Sequence, residues 1–161
     1  MSTAPLPNHL PRAGVDRITS QQAALSIVAM AIHRPLRHET IVLLLDHQHR
    51  GSAVVVISGT DAPDDVIDVV SRLVSRLVSR LVSPHAEEGP IGAVVVASVR
   101  PDQSGADVGE ADIDRWLELS DVVDEAGAEL LEWFVIDSAV TCPRDLLGEP
   151  PRWWSGGARW G

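Results

Sequence analysis

Ile41-Val42-Leu43-Leu44-Leu45, Ala53-Val54-Val55-Val56-Ile57 and Ala93-Val94-Val95-Val96-Ala97 are short apolar runs without a charge inside them. None approaches the roughly 20 residues needed to cross a bilayer. Rich in Val and Ile and bounded by polar segments, they read as strands. Because they do not alternate apolar with polar, the expectation is burial on both faces. Between and around them lie segments with helical spacing, so the economical architecture is an α/β layered domain.

The first such segment runs from a cap at Thr19 or Ser20 through Ala23, Ala24, Ile27, Val28, Met30 and Ala31 toward Pro35. The strands at 39–46 and 52–58 are joined by His47-Gln48-His49-Arg50-Gly51, which reads as a hairpin. A helix is expected from Asp61, with Pro63 in its first turn, through about Val82. It contains three copies of Ser-Arg-Leu-Val between Ser71 and Val82. A four-residue period overshoots a helical turn by about 40°, so Leu73, Leu77 and Leu81 with Val70, Val74, Val78 and Val82 spread over about half of the cylinder. Arg72, Arg76 and Arg80 take the other side, and Leu77 and Leu81 could form a partner surface if the last turns project beyond the sheet. After the strand at 91–97 comes a polar loop and a helix from about Gly109 to Ala126, with Ile113, Trp116, Leu117, Val123 and Ala126 facing inward. Strands at 128–136 and 138–142 follow.

The expected organisation is a disordered or loosely attached Pro-rich segment at 1–17, a domain at 18–148 and a Trp/Gly-rich tail at 149–161. Trp153, Trp154 and Trp160 in that tail either dock on the domain or serve a partner. At 161 residues the chain can bury a core without disulfide or metal. Its single cysteine, Cys142, and prolines at 5, 7 and 11, where a signal peptide would be apolar, point to the cytoplasm.

The net charge is −10, and eleven acids against one base, Arg115, fall between Asp102 and Glu132. Read as a solvated helix face, this stretch repels a phosphate backbone. All thirteen bases are Arg, which excludes lysine Schiff-base chemistry.

Little else carries chemistry. His47 and His49 belong to the hairpin tip, far along an apolar strand from Ser58 and Asp61, and read as solvent-facing. Gly156-Gly157 has no strand before it and is no phosphate loop. Cys142 lacks a neighbouring base, and Ser98 and Ser104 lack a His on their loop, so nucleophilic catalysis is unsupported.

Four stretches taken in order form a more specific pattern: ITSQQAA, HETIVLLLDHQHRG, the helix after TDAP, and AVVVASVRPDQSGADVGEADIDRWLELSDVVDEAGAELLEWFVIDS. Over roughly 18–148 the chain resembles the RadC-like branch of the JAB/MPN (JAMM) metalloprotease-like domains. That resemblance implies a mixed curved sheet flanked by helices, the layered arrangement also described as cytidine deaminase-like. It further implies a zinc ion held by His-x-His-Pro at the end of a strand and by an Asp in the following helix, with an upstream Glu as base and a Ser stabilising the oxyanion. Glu39 matches the base, Asp112 the helical ligand and Pro101 the proline, but Ser98 and Arg100 stand at the two His positions. The Ser position falls near Gly109 if the loop carries an insertion.

A catalytic zinc needs about three protein ligands, and a guanidinium repels a dication. The expected cofactor is therefore none, with Glu39 and Asp112 vestigial and Arg100 bridging both in place of the metal. The leading expectation is a pseudoenzyme: a metal-free RadC-like domain that binds protein partners or itself. The alternative is a zinc-dependent JAMM-type metallohydrolase or isopeptidase, with His33, His38, His85 or Asp107 completing a site around Glu39 and Asp112. A second alternative is a DNA-associated RadC-type factor, which the acidic balance disfavours.

Overall fold

The computed structural model describes residues 12–80, 91–101 and 109–153, with α2 side chains described as far as Leu77. Its elements are α1 (Gln21–Ala31), β1 (Glu39–Leu45), β2 (Gly51–Ser58), α2 (Asp65–Arg80), β3 (Ala93–Val99), α3 (Glu110–Glu125), β4 (Glu129–Ile136), β5 (Val140–Thr141) and α4 (Pro143–Leu147). One mixed sheet orders the strands β2-β1-β3-β4-β5, with only β3 and β4 parallel. The parallel pair requires a crossover, and α3 supplies it.

Strand alternation divides the core into two layers. Ile41, Leu43 and Leu45 of β1 with Val95, Ala97 and Val99 of β3 pack beneath Ala24 and Val28 of α1. Val42 and Leu44 with Val94 and Val96 pack against Val66, Val70 and Val74 of α2 and Trp116, Leu119 and Val123 of α3. Trp116 and Trp133 are fully buried in this second layer. At about 200 Å² and 25 cal/mol/Å² each, they contribute roughly 5 kcal/mol apiece before entropy is subtracted.

Several expectations need correction. β2 is not covered on both faces: it is an edge strand, with Ala53, Val54 and Val56 exposed. An apolar run reports β-propensity but not position in the sheet. α2 starts at Asp65, four residues after Asp61, because residues 62–64 form a turn in which the Asp65 carboxylate accepts the Ala62 N–H at 3.0 Å. In α3 the buried row is Asp112, Trp116, Leu119 and Val123, and Leu117 faces solvent. Residues 12–17 belong to the fold: the Gly14 N–H donates to the Gly51 carbonyl at 2.8 Å and Arg17 bridges Arg50. The expected cap at Ser20 forms, its hydroxyl accepting the Ala23 N–H at 3.1 Å.

For the tail, Trp153 takes the docked alternative. Leu77 packs partly buried against the second layer. Trp153 is buried in the first layer and meets His49 edge-on at 6.3 Å, so His49 is half-buried, whereas His47 is exposed as expected. Leu81, Trp154 and Trp160 lie outside the described residues.

Candidate functional site at the end of β3

β3 ends on Ser98-Val99 and runs on into Arg100, and the alternation of its core residues assigns each side chain a face. Val99 continues the α1 side. Ser98 and Arg100 therefore continue the side covered by α2 and α3. The Arg100 N–H donates to the Ile136 carbonyl at 2.8 Å, which extends the parallel ladder one residue beyond the strand and fixes the Arg100 backbone.

Arg100 is buried, and its guanidinium is bidentate on Asp112: Nη2 to Oδ1 at 2.8 Å and Nη1 to Oδ2 at 3.2 Å. Its cation lies 5.9 Å from the Trp133 ring centroid. Asp112 is in the first turn of α3, where the helix dipole favours a carboxylate. One turn on, Arg115 donates from Nη1 to the same Oδ1 at 2.7 Å and from Nε to Asp64 Oδ1 at 2.7 Å. Asp64, Arg115, Asp112 and Arg100 thus form one chain of alternating charge that sums to zero. Burial raises the Asp112 pKa, but hydrogen bonds and charge from Arg100 and Arg115 outweigh it and hold the group below the ordinary carboxylate range.

Ser98 is equally occupied, since its Oγ accepts the Trp133 Nε1–H at 2.9 Å. Beside it the Thr40 hydroxyl donates to Thr60 Oγ1 at 2.9 Å. The cavity bounded by Thr40, Thr60, Ser98 and Arg100 measures about 10 Å³. That is space for about one water and not for a peptide.

Glu39 does not join this pocket, contrary to the expected bridge. It pairs with Val99 in the β1–β3 register and so faces the α1 side, across the sheet from Arg100. There its fully buried carboxylate accepts the His33 N–H at 3.0 Å, lies 2.8 Å from His33 Nδ1 and accepts from Arg37 Nε at 3.4 Å. Arg37 Nη2 lies 3.0 Å from His33 Nε2. Because Arg can only donate, Nε2 accepts and the ring proton belongs on Nδ1, which donates to Glu39. Burial raises the Glu39 pKa, and the bonds from His33 and Arg37 more than reverse it. The same pairing physics has therefore produced two separate ion clusters, one on each face.

Pro101 follows Arg100 in the turn that leaves the strand. Of the other residues considered for a metal, His33 reaches Glu39 but not Asp112, and His38 Nδ1 is buried without a hydrogen-bond partner among the described residues. His85 and Asp107 lie outside the described residues. Ser98, Arg100 and Asp112 do not fit zinc: a single carboxylate is already neutralised by two guanidinium groups, and among the described residues no imidazole or thiolate faces it.

Arg115 and Asp64 were not anticipated as site residues. Arg115 carried a legible signal, since a base three residues after an acid meets it on a helix. A second buried pair had none: a bulge in β4, where Val94 and Val95 face Leu130 and Glu132, brings Glu132 to Arg144 of α4 at 3.0 Å. Glu132 and Asp112 are thus buried ion-pair members and not part of a solvated acidic face. Cys142, read as an inert thiol, is buried beside Gln21 Nε2 at 2.9 Å, and desolvation pushes its pKa up to about 12. No model of a known protein family matches the sequence, and no curated protein matches it significantly.

Proposed function

We propose that this chain is a metal-free, RadC-like JAB/MPN-related domain that has no peptidase activity and acts as a protein-binding or assembly module. The observation that carries this reading is the buried bidentate pair between Arg100 and Asp112. In the resemblance, Ser98, Arg100 and Asp112 stand at the three zinc-ligand positions. Here an organic cation satisfies the carboxylate, the serine oxygen is taken by an indole N–H, and the cavity beside Ser98 and Arg100 has room for about one water.

An enzyme of that family also needs its base in the same pocket as the activated water. Glu39, the residue at the base position, is on the opposite side of the sheet. The first loss comes from the residues at positions 98 and 100 and the second from the β1–β3 register, and each alone would stop the reaction. What remains is a rigid layered frame, suited to presenting surfaces.

The test is metal content of protein purified without chelators, paired with zinc titration of the wild type and of Asp112→Asn. Well under one zinc per chain, with identical titrations, is the expected result. One equivalent per chain that disappears in Asp112→Asn would overturn the reading and restore the hydrolase alternative.

A further inference from the structure

The two edges of the sheet are built very differently. At the β5 edge the strand is two residues long, and Arg152 Nη1 caps the Leu130 carbonyl at 2.9 Å. These are the ordinary protections against strand addition. The β2 strand is eight residues long, and among the described residues nothing caps its outer backbone between Ser52 and Ser58. From Ser52 to Ser58 it contains no charge and no proline, and no described residue pairs with its outer side.

The limits of this open stretch are defined. Gly51 is closed by the Gly14 N–H at one end, and the chain turns away at Gly59, with φ of 82°, at the other. The midpoint of Ser52–Ser58 is Val55. The sequence Ser-Ala-Val-Val-Val-Ile-Ser is itself near-palindromic about Val55. Antiparallel pairing of two such strands puts Ser52 opposite Ser58, Ala53 opposite Ile57 and Val54 opposite Val56, small against large and apolar against apolar. A twofold interface requires this self-complementarity.

We propose that β2 pairs antiparallel with β2 of a second copy of this chain about a twofold axis at Val55, joining two five-stranded sheets into one. The pairing supplies partners for the open N–H and C=O groups, and within Ser52–Ser58 it brings no like charges opposite one another in a chain of net charge −10. On the α1 face it also covers apolar surface. Val54 and Val56 are 40% and 36% exposed, and they adjoin a 380 Å³ groove lined by Ile27, Met30, Leu43 and Val54, with Met30 72% exposed. Side chains directly opposite in an antiparallel pair share a face, so Val56 of the second copy extends this groove. The residues before Arg12 are poorer occupants, because Pro5, Pro7 and Pro11 lack the N–H a ladder needs. The inference rests on the assembly reading for its role and names the partner as a second copy.

Sedimentation of the full chain measures the mass, and two cysteine variants measure the register. Val55→Cys brings two thiols together across the axis, where Cβ atoms are about 4.5–5.5 Å apart, close to the separation a disulfide spans. Ser52→Cys puts them about 20 Å apart, six residues at the strand rise. Buried Cys142 does not compete. The expected result is a dimer that crosslinks under mild oxidation in the Val55→Cys variant and does not in the Ser52→Cys variant, together with a monomer of unchanged circular dichroism for Val54→Lys/Val56→Lys. A monomer at every concentration up to the solubility limit would overturn the proposal, as would a dimer that crosslinks at neither position or at both alike. Those failures leave the metal-free assembly reading intact, whereas zinc bound through Asp112 removes that reading without affecting the mass.

Discussion

Replacing Arg100 by Met keeps an apolar stem against Trp133 and removes the charge that Asp112 was buried against. Breaking a buried ion pair by removing one partner costs about 3–5 kcal/mol, because the remaining charge is stranded. Arg115 still donates to Oδ1 at 2.7 Å, which places the expected cost at the lower end. We expect about 3 kcal/mol at neutral pH, a large share of the roughly 5–15 kcal/mol that holds a domain together. The cost depends on pH in a definite direction. Asp112 titrates below its ordinary range in the folded protein, so its pairing contributes stability above the unfolded pKa of about 3.9 and loses it as pH falls through the folded value. Once the carboxyl is protonated in both proteins, the difference shrinks to the packing change. Urea unfolding followed by fluorescence of the buried Trp116 and Trp133 measures this, with m unchanged. The double variant Arg100→Met/Asp112→Leu should regain most of the loss, since an apolar pair avoids the desolvation penalty. A cost below about 0.5 kcal/mol, typical of an exposed pair, or a cost that does not vary with pH, would refute the reasoning.

Three further outcomes follow from the same geometry. Glu39→Gln and Arg100→Met should be additive within about 0.5 kcal/mol, because the sheet separates their clusters; strong coupling in a double-mutant cycle would mean the two share a pocket. Arg144→Met should cost about 3 kcal/mol and more at alkaline than at acid pH: burial already raises the Glu132 pKa, so losing the Arg144 charge raises it further, and stability then falls as pH rises through the carboxylate range. Cys142, with its pKa pushed up to about 12 against an ordinary 9.0, should resist alkylation in the folded protein and react on unfolding. Its stability contribution is complete below 9.0 and declines as pH rises toward about 12, which denaturant midpoints across that range would register.

Strand and helix positions were legible because periodicity and propensity act locally: the predicted strand at 39–46 becomes β1, and a helix capped at Ser20 becomes α1. Which strand forms the edge was not legible. Ala53–Ile57 and Ala93–Ala97 have nearly the same composition, yet β3 is central and β2 peripheral, a difference set by long-range pairing and not by local propensity. The pairing of Arg100 with Asp112 was expected only through the family resemblance, because charge alone does not choose Asp112 among the eleven acids between Asp102 and Glu132. The separation of Glu39 from both depended on parity: with Glu39 opposite Val99, one residue of register decides the face. The Glu132–Arg144 pair depended on a single extra residue in β4, and bulges leave no compositional trace.

Parity also explains why the pocket closes so completely. Ser98 and Arg100 face the helical layer together, so the indole of Trp133 and the carboxylate of Asp112 satisfy neighbouring positions on one face of the strand. Arg115 and Asp64 add a second pair of opposite charge, so the cluster stays neutral. A guanidinium held bidentate and close to an indole cannot swing aside without leaving the buried Asp112 with Arg115 alone, so displacing it is costly. Polar groups at the strand's end are thereby consumed internally. Along the sheet, the backbone groups without a protein partner among the described residues are the outward N–H and C=O of Ser52–Ser58, which lie in the direction a second strand would approach. On the reading proposed here, function in this frame has moved from the end of a strand to its edge.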